Sequence, residues 1–169
     1  YSTFEQNWSN SHTYRRWEEE GTLYGFSHQC GAMLAPQISD PPIWRHFGEM
    51  YFDQTMLLLF LRIGLFSYSQ WLSRISARVR DSNRQGFFAW HNEFQEIRWS
   101  FTQFTNLYHF PVLFTSQEQG IEMYRLATGC LDLTELFDEI QKEIHSTHEY
   151  LELRTEQEQS QTTIRLTWV

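Results

Sequence analysis

Cysteine is scarce, with only Cys30 and Cys130 among 169 residues. They lie far apart and belong to no CxxC pair or Cys/His zinc spacing. That excludes a disulfide framework and a small zinc module, and the reading is of a reduced intracellular protein. Proline is also sparse, and three of its four occurrences (Pro36, Pro41, Pro42) sit in one turn-rich stretch, APQISDPP. No apolar run reaches the ~20 residues of a membrane span. The longest, MLLLFLRIGLF, has 11 residues and is interrupted by Arg62, so it is expected to be a buried helix. There is no Gly-rich phosphate loop, no nucleophile elbow and no HExxH, so no enzyme activity is expected. Basic residues are outnumbered, with a net charge of −8 and a pI near 5.3, which argues against nucleic acid as a partner. An initiator Met and a signal peptide are both lacking, and the chain ends on the apolar TTIRLTWV, so it reads as an excised fragment.

Aromatic residues, by contrast, are abundant: 7 Trp, 8 Tyr and 14 Phe make up 17 % of the chain. A core built on rings rather than on Val and Ile follows. The longest uninterrupted element is the C-terminal stretch from Leu133 to Val169, which contains neither Pro nor Gly. As one helix it would extend roughly 55 Å. Its first half carries Leu133, Phe137, Ile140, Ile144, Thr147 and Leu151 at alternating steps of four and three, the spacing of a helix packing along a partner. Its second half, Arg154 to Thr163, is almost wholly polar. Between Thr134 and Ser160 there are eight acidic and two basic residues, so this segment carries −6 of the total −8. A basic run (Arg74, Arg78, Arg80, Arg84) lies elsewhere; either the two neutralise each other or both are solvated helix faces.

Residues 1–20 show no clear period. Residues 21–35 alternate Leu23, Gly25 and Ser27 against Tyr24, Phe26 and His28, and read as one strand. A helix is expected from Ile43 to Arg80, then a break at DSNRQG. A further helix from Phe87 to Tyr108 would carry Phe94, Ile97, Phe101, Phe104 and Leu107 or Tyr108 on one face. Ser116 and Gln119 have capping-box spacing for a helix from Gln117 to Thr128, which Gly129 would close. Asp132 and Glu135 repeat that spacing at the start of the long helix. The predicted fold class is mainly α (α+β): long antiparallel helices, a small N-terminal β segment and a C-terminal stalk-like helix. Three parts are expected: residues 1–42 as a fragment of a β-containing head, 43–132 as helices folding back, and 133–169 as the stalk.

Two groups on the stalk are candidate metal ligands. His145 and His148 fall three apart on one helical face, with Glu149 and Glu152 nearby. Asp138, Glu139 and Glu143 could attract a hard divalent cation, Mg²⁺ or a relative, through water-filled shells. The alternative for both is a solvated polar surface. In the polar half the inward positions would be Glu158, Gln161 or Thr162 rather than Leu, and several copies about an axis could enclose a wet channel with Gln, Ser and Thr groups; a frayed terminus is the alternative.

The long helix, its polar stretch and the terminal Leu166-Thr167-Trp168-Val169 together resemble the CorA-type divalent cation channels, whose stalk helix runs into the first membrane helix. The resemblance covers residues 44–169 in architecture and about the last 20 in motif. It implies a cytoplasmic regulatory domain, on the inner side of the cell membrane, of a transporter for Mg²⁺ or a similar ion. It also implies a homo-oligomer (a pentamer), membrane attachment through a following segment, and Thr155, Gln159, Thr162 and Leu166 facing the oligomer axis. The rival reading is an oligomerising coiled-coil regulator or scaffold without transport.

Overall fold

The computed structural model describes residues 2–36, 43–79, 84–110, 113 and 117–167. Within the helices, the side chains of residues 44, 46, 79, 84–88, 158 and 161–167 lie outside that description. So do the Pro41–Pro42 turn, Arg80, Ser116, Trp168 and Val169, on which parts of the sequence reading fall. The fold is mainly α with a small three-stranded antiparallel sheet.

The unassigned N-terminus opens with helix α1, Thr3–Ser11. A capping box builds it: the Ser2 hydroxyl accepts from the Glu5 amide at 3.2 Å, and the Glu5 carboxylate accepts from the Ser2 amide at 2.7 Å. Strand β1, Thr13–Tyr14, pairs with β2, Leu23–Phe26, which pairs in turn with β3, Gly31–Leu34. The single strand expected over 21–35 is therefore a hairpin. Ser27 reverses the chain by accepting on its hydroxyl from the amides of Gln29 and Cys30, while its own amide donates to the Cys30 carbonyl. The alternation seen in sequence survives in β2, where Tyr24 and Phe26 are buried.

Helical backbone then runs from Ile43 to Val79 as α2 (Ile43–His46), a π-helical turn (Phe47–Tyr51) and α3 (Phe52–Val79). The apolar run is not buried all round. Leu58, Leu61 and Leu65 are buried, whereas Met56, Phe60 and Ile63 are exposed, Ile63 to 67 %. By length and composition alone the stretch Phe47–Arg78 could cross a membrane, a test that core helices of soluble proteins also pass. Helix α4 spans Arg84–Tyr108, α5 Glu118–Cys130 and α6 Leu133–Thr167. Gly129 does not end α5, which continues to Cys130. The chain turns at Asp132, whose φ of 51° is left-handed, an exception that a short polar side chain tolerates.

Two compact units result, and each joins segments distant in sequence: 1–64 with 107–136, and 65–106 with 137–169. They do not coincide with the three sequential parts expected. In the first unit, the segment after β1 is tied to α5. Arg16 pairs with Glu118 at 3.0 Å and Glu122 at 3.3 Å, and the Trp17 indole donates to Gln119 at 2.9 Å. The Tyr14 hydroxyl donates to Glu122 at 2.5 Å, which holds that carboxyl below its ordinary value. The interior holds Tyr24, Tyr51, Leu58, Met123 and Tyr124. In the second unit α3, α4 and α6 run antiparallel in turn. Tyr68 meets Ser100 and Phe101 while Trp71 and Arg78 meet Glu93; Phe101 meets Phe137 while Arg98 meets His148. The core there is Leu72, Ile75, Phe94, Ile97, Ile140 and Leu151.

Candidate functional site

The candidate residues all lie on α6, a single helix as expected. Its apolar stripe, however, serves its own chain: Leu133, Ile140, Ile144 and Leu151 are buried without any second copy. Phe137 and Thr147 are half-buried. Leu151 is the last buried residue among those described. The described side chains from Glu152 to Ser160 are all exposed or half-buried, yet the backbone stays helical to Thr167. Good helix formers (Glu, Gln, Arg) sustain it there. Thr155 is half-buried and its hydroxyl donates back to the Leu151 carbonyl at 2.8 Å; Gln159 is exposed. Thr162 and Leu166 lie outside the described side chains.

The seven expected metal ligands are not gathered. Among the described residues no three His, Cys, Asp or Glu side chains converge as a metal site would require. The reason is helical spacing, which deals these residues into adjacent pairs. His145 lies 3.3 Å from Glu149, and His148 lies 3.2 Å from Glu152. Glu139 and Glu143 are also four apart. The Glu143 carboxyl is raised above its ordinary value by burial first and by the Glu139 charge second. Among the described residues no counterion pairs with either carboxylate, and a cation bound there would relieve the repulsion.

Asp138, His145 and His148 face a different environment, a cleft in the second unit that Arg98 and Lys142 also line. Nη1 of Arg98 lies 2.9 Å from Nε2 of His148. A guanidinium only donates, so in this contact Nε2 accepts and the imidazole proton belongs on Nδ1. The same Nε2 faces the Glu152 carboxylate, which would need an N–H. One nitrogen cannot serve both, and a metal there would have to displace both. Sequence reasoning placed the histidines but missed Arg98. Its partner is 50 positions away, and nothing local marks it.

No family model matches this chain, and neither does any curated protein or solved structure.

Proposed function

We propose that this chain is the cytoplasmic regulatory part of a CorA-like transporter for divalent cations, Mg²⁺ or a similar ion, working as a homo-oligomer at the inner face of the membrane. The observation that carries the reading is the behaviour of α6 past Leu151. Past Leu151 the backbone stays helical, yet none of the described side chains there is buried. Most helical stability in proteins comes from packing, so a sixteen-residue extension to Thr167, polar through most of its length, suits a partner that the monomer does not supply. Copies of α6 about an axis would be that partner, with Thr155 and Gln159 directed inward. The acidic surface supports a switch: Glu139 and Glu143 from neighbouring copies repel, bound cations screen them, and loss of the cations loosens the assembly. A pentamer, the membrane-embedded segment and the ion belong to the same proposal by analogy with the family.

The test is the mass of the chain in solution by light scattering, with millimolar MgCl₂ against NaCl of matched ionic strength, without detergent. A Mg²⁺-dependent rise in mass and melting temperature is expected, and both should be lost in Glu139→Gln/Glu143→Gln. A monomer unaffected by Mg²⁺, or a chain that disperses only in detergent, overturns the reading.

A further inference from the structure

The cleft between α4 and α6 has a chemistry of its own. Its volume is about 590 Å³, within the range of small-molecule sites. Phe101 and Phe137 stack with ring centroids 5.7 Å apart and, with Ile144, supply an apolar surface. Two cations line the same space, Arg98 from α4 and Lys142 from α6. In a chain of net charge −8 these should be the first groups to find carboxylates. Among the described residues neither forms an ion pair with one. The Arg98 guanidinium instead contacts an imidazole, with Nη1 2.9 Å from Nε2 of His148, the nitrogen that also lies 3.2 Å from the Glu152 carboxylate. Asp138 is the one acidic side chain lining the cleft among the described residues, so with the imidazoles neutral the formal charge facing it is +2 − 1 = +1.

We infer that this cleft binds an amphiphilic organic anion: a carboxylate or phosphate head, held by Arg98 and Lys142, on a flat apolar body set against Phe101 and Phe137. Apolar area supplies affinity and the two cations orient the head, the usual division of labour in a ligand pocket. The site is separate from the Glu139–Glu143 pair and does not depend on the transporter reading. A divalent cation and this anion would occupy opposite electrostatic environments of one helix.

Isothermal titration of the full chain with four probes tests it. 2-Naphthoate carries the carboxylate head, AMP the phosphate head, 2-naphthamide the body without charge, and inorganic phosphate the head without a body. At least one of the two ring-bearing anions should bind in the submillimolar range, and which one does separates the two heads. 2-Naphthamide and inorganic phosphate should each bind at least about tenfold more weakly. Arg98→Gln and Lys142→Gln should each weaken binding by about tenfold, the loss of one charged hydrogen bond. Arg98→Lys should recover part of it, and Arg74→Gln, which removes the same charge from α3 outside the cleft, should change nothing. Equal binding of naphthoate and naphthamide, insensitivity to Arg98→Gln and Lys142→Gln, an equal loss in Arg74→Gln, or no binding of either ring-bearing anion overturns the proposal. Both side chains are exposed, so the variants are expected to keep the parent circular dichroism spectrum. If either does not, Arg98→Lys against the parent decides.

Discussion

Leu151 and Leu153 stand two residues apart on α6 and differ completely in surroundings: Leu151 is 0 % exposed and Leu153 is 61 % exposed. Truncating Leu151 removes buried methyl groups and leaves a cavity in the core of the second unit. Such substitutions cost about 2–5 kcal/mol, the spread depending on how far the site collapses. Taking about 3 kcal/mol, a domain of this size should melt roughly 6–12 °C lower. Leu153→Ala should cost less than about 0.5 kcal/mol, as surface substitutions do. Thermal melts followed by circular dichroism at several protein concentrations provide the assay. The Leu151→Ala deficit should not depend on concentration, because Leu151 is buried by its own chain. Equal effects of the two substitutions, or a deficit that vanishes on dilution, would refute the claim that the α6 stripe is buried in its own unit.

Gln54 is 3 % exposed and neither its amide nitrogen nor its amide oxygen has a partner among the described residues. Replacing it with Met keeps the volume and removes the unmet polar group, so Gln54→Met should raise stability by about 1–2 kcal/mol in urea titrations. Tyr51 is buried, and burial followed by the neighbouring Tyr24 pushes its hydroxyl from 10.0 up to about 12. An acid whose folded value is raised stabilises the fold fully below its unfolded value and loses that contribution as pH rises through the folded one. Stability should therefore fall between pH 10 and about 12, by up to about 1.4 kcal/mol per pH unit for this one group. Tyr51→Phe should flatten that part of the profile, with an unchanged slope counting against the assignment.

Much of the helical framework is legible in the sequence because a 3.6-residue period needs only local information. The face Phe94, Ile97, Phe101 and Phe104 follows from spacing and is buried throughout. Leu107 and Tyr108 extend the same spacing but are exposed, since period says which residues share a face and not where the partner helix stops. The Ser2–Glu5 box that starts α1 is a cap signal, and hydrophobic period does not register it. The hairpin is hidden because its reversal rests on Ser27 side-chain bonds instead of an Asn-Gly or Gly-Gly turn. For the candidate site, residue identities are readable and their grouping is not. Equal charge and equal spacing on α6 conceal that Asp138 shares a cleft with Arg98 while Glu139 and Glu143 oppose each other.

The sequence by itself determined the mainly helical class, the unbroken α6, the ring-rich core and the uneven charge, because propensity, period and composition are properties of neighbouring residues. Only the tertiary structure decided that the heptad-like stripe is consumed within the chain and that one face of the apolar α3 run stays exposed. It also decided that Arg98 and Lys142 line one cleft with Asp138 while, among the described residues, neither forms an ion pair with a carboxylate. These are outcomes of which distant segments pack together, and burial and charge pairing depend on that geometry rather than on the order of residues along the chain.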